Sequence, residues 1–159
     1  MTTSEPRPQD YAALNLVHTG LLAATALVAH RRGRAAPPSV TDMAQLSLAA
    51  FSIAKAVSRE KIGTWVRDPF VADDDGEDVP VAGGLRGAVG ELVTCSRCVG
   101  AWSALSLVAL RTASPAAGQV ATTVFATAGA NDFLQAGFRL VCNSANIARS
   151  RVHAADHAA

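Results

Sequence analysis

Residues 11–29 form a run of 19 positions without a formally charged side chain, and Tyr11 and His18 are its only titratable groups. A helix needs about 20 residues to cross a hydrocarbon core roughly 30 Å thick. The run therefore bears on one question before any other, whether the chain meets lipid or water. Its apolar residues show little helical alternation, and a helix that is apolar all round suits lipid or a deep core better than a wet surface. His30, Arg31, Arg32 and Arg34 close it. Pro37 and Pro38 then end the helix, because proline supplies no backbone donor. The first expected span is 11–30.

Three weaker spans follow. In 40–57, Thr41 or Asp42 caps the start, 43–54 carries no charge, and Lys55 falls in the last turn, where its long stem reaches an interface. The span 98–111 holds Trp102, Leu105, Leu107, Val108 and Leu110 and stops at Arg111, before a turn leading to Pro115. The span 116–141 is rich in Ala, Thr and Gly and contains Asp132. Within it Gly118, Thr122, Ala126 and Ala130 recur every four residues, which lays a seam of small side chains along one face. Such seams let membrane helices approach closely. The expected fold is all-α, a small bundle of about four transmembrane helices with a cytoplasmic central loop at 58–97, a flexible N-terminus at 1–10 and a flexible tail at 142–159. The competing expectation is a soluble, alanine-rich helical bundle.

Composition trims the alternatives. Half of the residues are hydrophobic and 17% are charged, which excludes extended disorder for most of the chain. With 14 basic against 13 acidic residues there is no polybasic field for nucleic acid. The partners to expect are the lipid bilayer, a second copy or another membrane protein. Three cysteines do not make a paired disulfide scaffold. With the N-terminus inside, the inner segments hold Arg7, Arg59, Lys61, Arg67, Arg86, Arg97, Arg139, Arg149 and Arg151, and the outer side holds Arg31, Arg32, Arg34 and Arg111. Nine against four places both termini in the cytoplasm of a bacterial cell membrane, with the arginine cluster after the first span opposing that orientation. No secretory leader is expected, since Glu5 and Asp10 flank a single Arg7 ahead of the apolar run.

The central segment differs in kind. Charges around Arg59, Lys61 and Arg67 alternate with Ile62, Trp65, Val66 and Phe70, which suits either a short element at headgroup level or a solvated loop. Five carboxylates among residues 73–78 lack the spacing of a calcium loop and read as a flexible acidic turn. Gly83, Gly84 and Gly87 lack the lysine and preceding strand of a phosphate loop and read as a hinge into the third span or a short amphipathic lead-in to it. His153 and His157, four apart in the tail, read as part of a frayed end.

Then Gly90, Glu91, Leu92, Cys95, Cys98, Gly100 and Trp102 follow in close order. Here the chain resembles a family of small bacterial membrane proteins, the domain of unknown function thirteen-sixty, which includes a sporulation-associated protein. That family's pattern runs Gly-Glu-Leu, Cys-x-x-Cys, Gly and Trp at these spacings. Upstream it has an Asp-Lys-Ile/Val element, an arginine and a Pro-Phe pair, matched here by Glu60, Lys61, Ile62, Arg67, Pro69 and Phe70. Glu60 stands where Asp is usual and Lys55 where Arg is frequent, each with the charge sign kept. The resemblance covers about 46–134 and implies a multi-pass membrane protein without an established activity.

Cys95 and Cys98 lie at the start of the third span, where free backbone donors and the helix dipole favour a thiolate. Three readings stand open. The two thiols pack as small soft side chains, or bind zinc together with Cys142 and His153 or Glu91, or form a redox pair. One CxxC supplies only two of the roughly four ligands that zinc takes. Ionisable groups within a membrane need partners, so Lys55 is expected to pair with Asp132, or Asp132 with Arg139. No nucleophilic triad is legible, and no cofactor is expected beyond that zinc. Four functions compete: a non-enzymatic membrane accessory or assembly factor, a membrane thiol-redox or metal-binding protein, a small transporter or channel subunit built by oligomerisation, and the soluble bundle.

Overall fold

A computed structural model describes residues 6–33, 37–74, 76–81 and 83–156. Arg34, Asp75 and His157 lie outside the described residues, as do the side chains of Glu77, Arg151 and His153. Six helices and one hairpin follow in order: α1 Pro8–Arg31, α2 Val40–Arg59, α3 Thr64–Arg67, β1 Val71–Asp74, β2 Glu77–Pro80, α4 Gly84–Thr94, α5 Ser96–Ala113 and α6 Pro115–Asp156.

Local chemistry sets the helix starts. Pro8 and Pro115 open α1 and α6, where a missing N–H costs nothing. The Arg7 backbone N–H donates to Asp10 at 2.9 Å. At α2 the Asp42 N–H donates to Ser39 Oγ (3.1 Å) and Ser39 Oγ donates back to the Asp42 carboxylate (2.6 Å). The cap is thus Ser39, two residues before Thr41. At α5 it is Cys95, whose Sγ accepts the Cys98 N–H at 3.3 Å.

Four long helices alternate in direction. Arg32, at the end of α1, donates to the Thr112 and Ala113 carbonyls at the end of α5 (both 2.9 Å), and Arg111 meets Asp42 near the start of α2 (2.7 Å). At the opposite end Tyr11 of α1 bonds Glu91 of α4, and Lys55 of α2 bonds Asp132 of α6. So α1 and α5 run one way, α2 and α6 the other. The central hub is α2 against α5 and α6, with α1 laid against α4 and α5.

The interior is small and the exterior large. Buried residues include Ala49, Ala50, Ser52 and Ala54 of α2, Val71 of β1, Ala88 and Val93 of α4, Val99, Ser103, Leu105 and Leu107 of α5, and Thr122 and Ala126 of α6, and Thr122 is the largest fully buried side chain among the described residues. Its hydroxyl is satisfied by the Gly118 carbonyl at 2.7 Å. The small-residue seam of α6 is the contact face: Gly118 abuts the Arg111 backbone, and Gly129 abuts the Leu48 carbonyl. Outside stand Leu16, Leu21, Leu22 and Leu27 of α1, Val120, Val124 and Phe125 of α6, and further along α6 Phe133, Leu134 and Phe138.

Several expectations change. The chain is helical as expected, yet 58–97 is not a plain loop: it holds a 3₁₀ turn (Lys61–Gly63), α3, the hairpin and α4. The acidic run supplies most of the hairpin, which pairs Val71 with Pro80 and Asp74 with Glu77, and Gly76 takes the positive φ that a tight turn demands. The fourth helix does not stop at 141. Its 42 residues reach Asp156, roughly 63 Å, so 142–156 is helical where a loose tail is expected from the sequence. Helix α1 likewise takes in residues 8–10. Among the described residues α1 alone is long and apolar enough to cross a membrane by itself, and α4 with α5 reaches the same measure only as a pair bent by 89°. Lys55, Asp132 and the many small polar residues hold α2 and α6 below it.

Candidate functional site

The motif residues divide into a frame and a cleft. Arg67 belongs to the frame: it is 5% exposed and ties three segments together. Its Nε donates to Asp78 Oδ2 on β2 at 2.7 Å, and the same guanidinium donates to the Val57 and Glu60 carbonyls at the end of α2 (2.5 and 3.1 Å). Arg86 donates twice to the Pro69 carbonyl (2.8 and 2.5 Å), and the Phe70 carbonyl accepts the Val81 N–H at 3.1 Å. Gly90 fits beneath, where an added Cβ would lie 2.7 Å from the Phe70 carbonyl oxygen and 3.1 Å from Pro80 Cβ. Only glycine lets α4 come this close to the hairpin. Gly100 faces Ala54 across α5 and α2 with ordinary spacing, an added Cβ lying 3.8 Å from the Ala54 methyl. Lys61 stands exposed in the 3₁₀ turn.

Glu60 and Lys55 form a second cluster. Lys55 Nζ lies 3.0 Å from Glu60 Oε1 and 3.0 Å from Asp132 Oδ2. Arg139 borders the same depression, beside Phe51 and Phe133, whose rings pack at 5.1 Å. The cation is thus shared between two carboxylates.

The remaining motif residues face one cleft of about 430 Å³ between α1, α4 and α5. Glu91, Leu92, Cys95, Cys98 and Trp102 line one wall, and Tyr11, Leu14, Asn15 and His18 line the other. The α1 residues fall at spacings of three and four, one face of a helix. Tyr11 Oη donates to Glu91 Oε2 at 2.5 Å, which closes the cleft at one end. The His18 ring meets Trp102 edge-on, centroids 5.0 Å apart, and its Nε2 is buried without a hydrogen-bond partner among the described residues.

Both motif cysteines are free thiols. The Cys98 thiol donates to Cys95 Sγ at 2.7 Å, and the Cys98 backbone N–H donates to the same sulfur. The Cys98 side chain, its backbone N–H and the Arg97 N–H together hold the Cys95 thiol below its ordinary value. Cys95 is therefore the better nucleophile of the two and Cys98 sits where a resolving thiol must. Among the described residues no group of three His, Cys, Asp or Glu side chains converges as metal ligands, so neither Cys142 nor Glu91 joins the pair in such a set.

A family model for proteins of unknown function, DUF1360, matches residues 45–138. The chain belongs to this family. The DUF1360 segment runs from α2 well into α6 and includes the whole frame and the cysteine wall, whereas α1 lies ahead of it. The cleft is accordingly shared, one wall from the family domain and the other from Tyr11, Asn15 and His18. No curated protein and no solved structure matches the chain. In the sequence Tyr11 and His18 stand out only as the titratable groups of the first span. Their separation by seven residues, two helical turns, is the signal that puts both on one side.

Proposed function

We propose that this protein is a multi-pass protein of the bacterial cell membrane, a bundle of α1, α2, α5 and α6, that works as a membrane thiol-redox protein through Cys95 and Cys98. The membrane placement rests on the inverted distribution of side chains. A water-soluble bundle gathers most of its leucines and phenylalanines inside, whereas here the buried set is mainly Ala, Val, Ser and Thr with only Leu105 and Leu107 among the large apolar groups, and most of the others stand exposed. Exposed leucines, valines and phenylalanines in that number suit a cover of lipid or of a protein partner. Charges that would oppose insertion are neutralised in pairs, Lys55 with Asp132 and Arg111 with Asp42. The arginine count favours both termini in the cytoplasm.

The single observation that carries the redox function is the Cys98 thiol aimed at Cys95 Sγ on a helix cap. Among the described residues no third His, Cys, Asp or Glu joins the pair as a metal ligand, which favours the redox reading over zinc. In the oxidised form, a thiolate of a substrate protein attacks the Cys95–Cys98 disulfide and forms a mixed disulfide. Its second thiolate then displaces the motif cysteine. The substrate leaves with a disulfide, and Cys95 and Cys98 are left as thiols.

The test is membrane fractionation with a carbonate wash, followed by maleimide trapping of thiols before and after diamide. The account expects a pellet protein in which diamide hides two thiols, and none in Cys95→Ser or Cys98→Ser. Recovery in the supernatant refutes the placement. Three accessible thiols after diamide, or stoichiometric zinc lost in both variants, refutes the redox role.

A further inference from the structure

We infer that the groove between α2 and α5, at the end of the bundle where α2 finishes and α5 starts, holds an anionic phospholipid with its phosphate against Arg59 and Arg97; this rests on the membrane placement above. The groove offers about 400 Å³ and changes character along its length. Phe51 and Ala54 of α2 and Gly100 of α5 line one part, and Arg59, Ser96 and Arg97 line the other. Because the two helices run in opposite directions, late residues of α2 share a level with early residues of α5. Arg59 lies two turns beyond Phe51, about 12 Å along the axis, and Gly100 lies one turn inside Ser96. The cations therefore gather at the outer end and the apolar lining lies deeper. Small side chains at Ala54 and Gly100 keep the deeper part open. A phospholipid carries its groups in the same order, a charged phosphate, a glycerol and then methylenes.

Charge decides the class of headgroup. Among the described residues neither Arg59 nor Arg97 has a carboxylate within ion-pair distance, and both are exposed. Lys55 also lines the groove but is taken up by Glu60 and Asp132, and Arg139 borders that cluster. Four cations thus stand with two carboxylates, which leaves this end of the bundle positive. A zwitterionic lipid brings its own cation and leaves the excess in place, whereas an anionic lipid reduces it. Each guanidinium presents a fork of donors that matches phosphate oxygens. A basic pocket between membrane helices on the cytoplasmic side is a setting that holds anionic headgroups. A free phosphate ester would meet the arginines and leave Phe51 and Ala54 uncovered, and a bare acyl chain would do the reverse.

The test uses the full chain in a neutral detergent, with phosphatidylglycerol and phosphatidylcholine of identical acyl chains added in equal amounts and bound lipid counted by native mass spectrometry. Expected is a single phosphatidylglycerol adduct that exceeds the phosphatidylcholine adduct by about tenfold or more. In Arg59→Gln/Arg97→Gln the excess should fall to within about twofold. Lys61→Gln/Arg149→Gln, which removes the same charge outside the groove, should keep the full excess. Arg59→Lys/Arg97→Lys, which keeps the charge without the fork, should recover part of it and guards against a folding artefact. Glycerol 3-phosphate in molar excess should not displace the lipid. Equal adducts of the two lipids in wild type, equal losses in the two glutamine double variants, or displacement by glycerol 3-phosphate overturns the lipid site. If such a chain still stays in the carbonate-washed pellet, the membrane placement stands without it; recovery in the supernatant overturns the two together.

Discussion

Two glycines of α6 offer a matched pair of substitutions with opposite expected signs. An added Cβ at Gly129 would lie 2.5 Å from the Leu48 carbonyl oxygen and 3.2 Å from its carbon, with Ser52 Cβ at 3.5 Å. The first contact is with backbone, which does not rotate aside, so α2 and α6 must separate or tilt. Overpacking of this kind costs about 1–3 kcal/mol. Gly137, two turns further along the same helix, has nothing within 4 Å of the corresponding Cβ. There Gly→Ala gains only the better helix propensity, about 1 kcal/mol. The same propensity gain accompanies Gly129→Ala, so its net effect is a loss of up to about 2 kcal/mol. The two variants are therefore expected to move the thermal unfolding midpoint in opposite directions, measured by circular dichroism at 222 nm in one detergent. Equal shifts, or stabilisation by Gly129→Ala, would refute close packing of α2 on the small-residue face.

Three further outcomes follow from the site. Arg67→Ala strands the Val57 and Glu60 carbonyls and frees Asp78, which is part exposed; water screens some of the loss, leaving a destabilisation of roughly 2–3 kcal/mol by thermal melt. Arg67→Lys, with one charged end instead of a fork, should recover less than half. Lys55→Met, which leaves both Glu60 and Asp132 without their cation, should lower the unfolding midpoint more than Asp132→Asn, which leaves Lys55 its bond to Glu60. Alkylation of Cys95 by iodoacetamide should rise with pH around a midpoint below the ordinary thiol value of 9.0, because the bonds from Cys98 and Arg97 favour its ionised form. In Cys98→Ser, where the hydroxyl donates to the same sulfur, the lowered midpoint should largely persist, and in Cys98→Ala it should rise.

The physical reasons decide which parts of the molecule were legible in its sequence. The long helices declare themselves through uncharged runs and their boundary residues, and the every-fourth-residue seam of α6 is the face that packs on α2 and α5. Lys55 and Asp132 stand out as charges in apolar surroundings, and the structure brings them together. The hairpin is hidden because its strands are largely acidic, with no alternation to reveal them; what holds it is Arg67, eleven residues from Asp78, a tertiary contact that spacing does not encode. The tail of α6 looks loose because Ala, Asn, Ser and Arg lack an apolar stripe, yet alanine and arginine are strong helix formers and no proline or glycine interrupts 138–156. The CxxC is visible in the sequence, but its cleft is not. That cleft needs the parallel alignment of α1 with α5, set by Tyr11 with Glu91 at one end and Arg32 with the Thr112 carbonyl at the other.

The outward apolar surface is tested most directly by spin labels placed one at a time at Leu16, Val124 and Phe133, in a chain whose three cysteines are replaced by serine and which is reconstituted in lipid vesicles. The account predicts that each label collides with dissolved oxygen, which concentrates in the bilayer, and is shielded from a water-soluble nickel chelate. Free collision with the chelate at all three positions would contradict it.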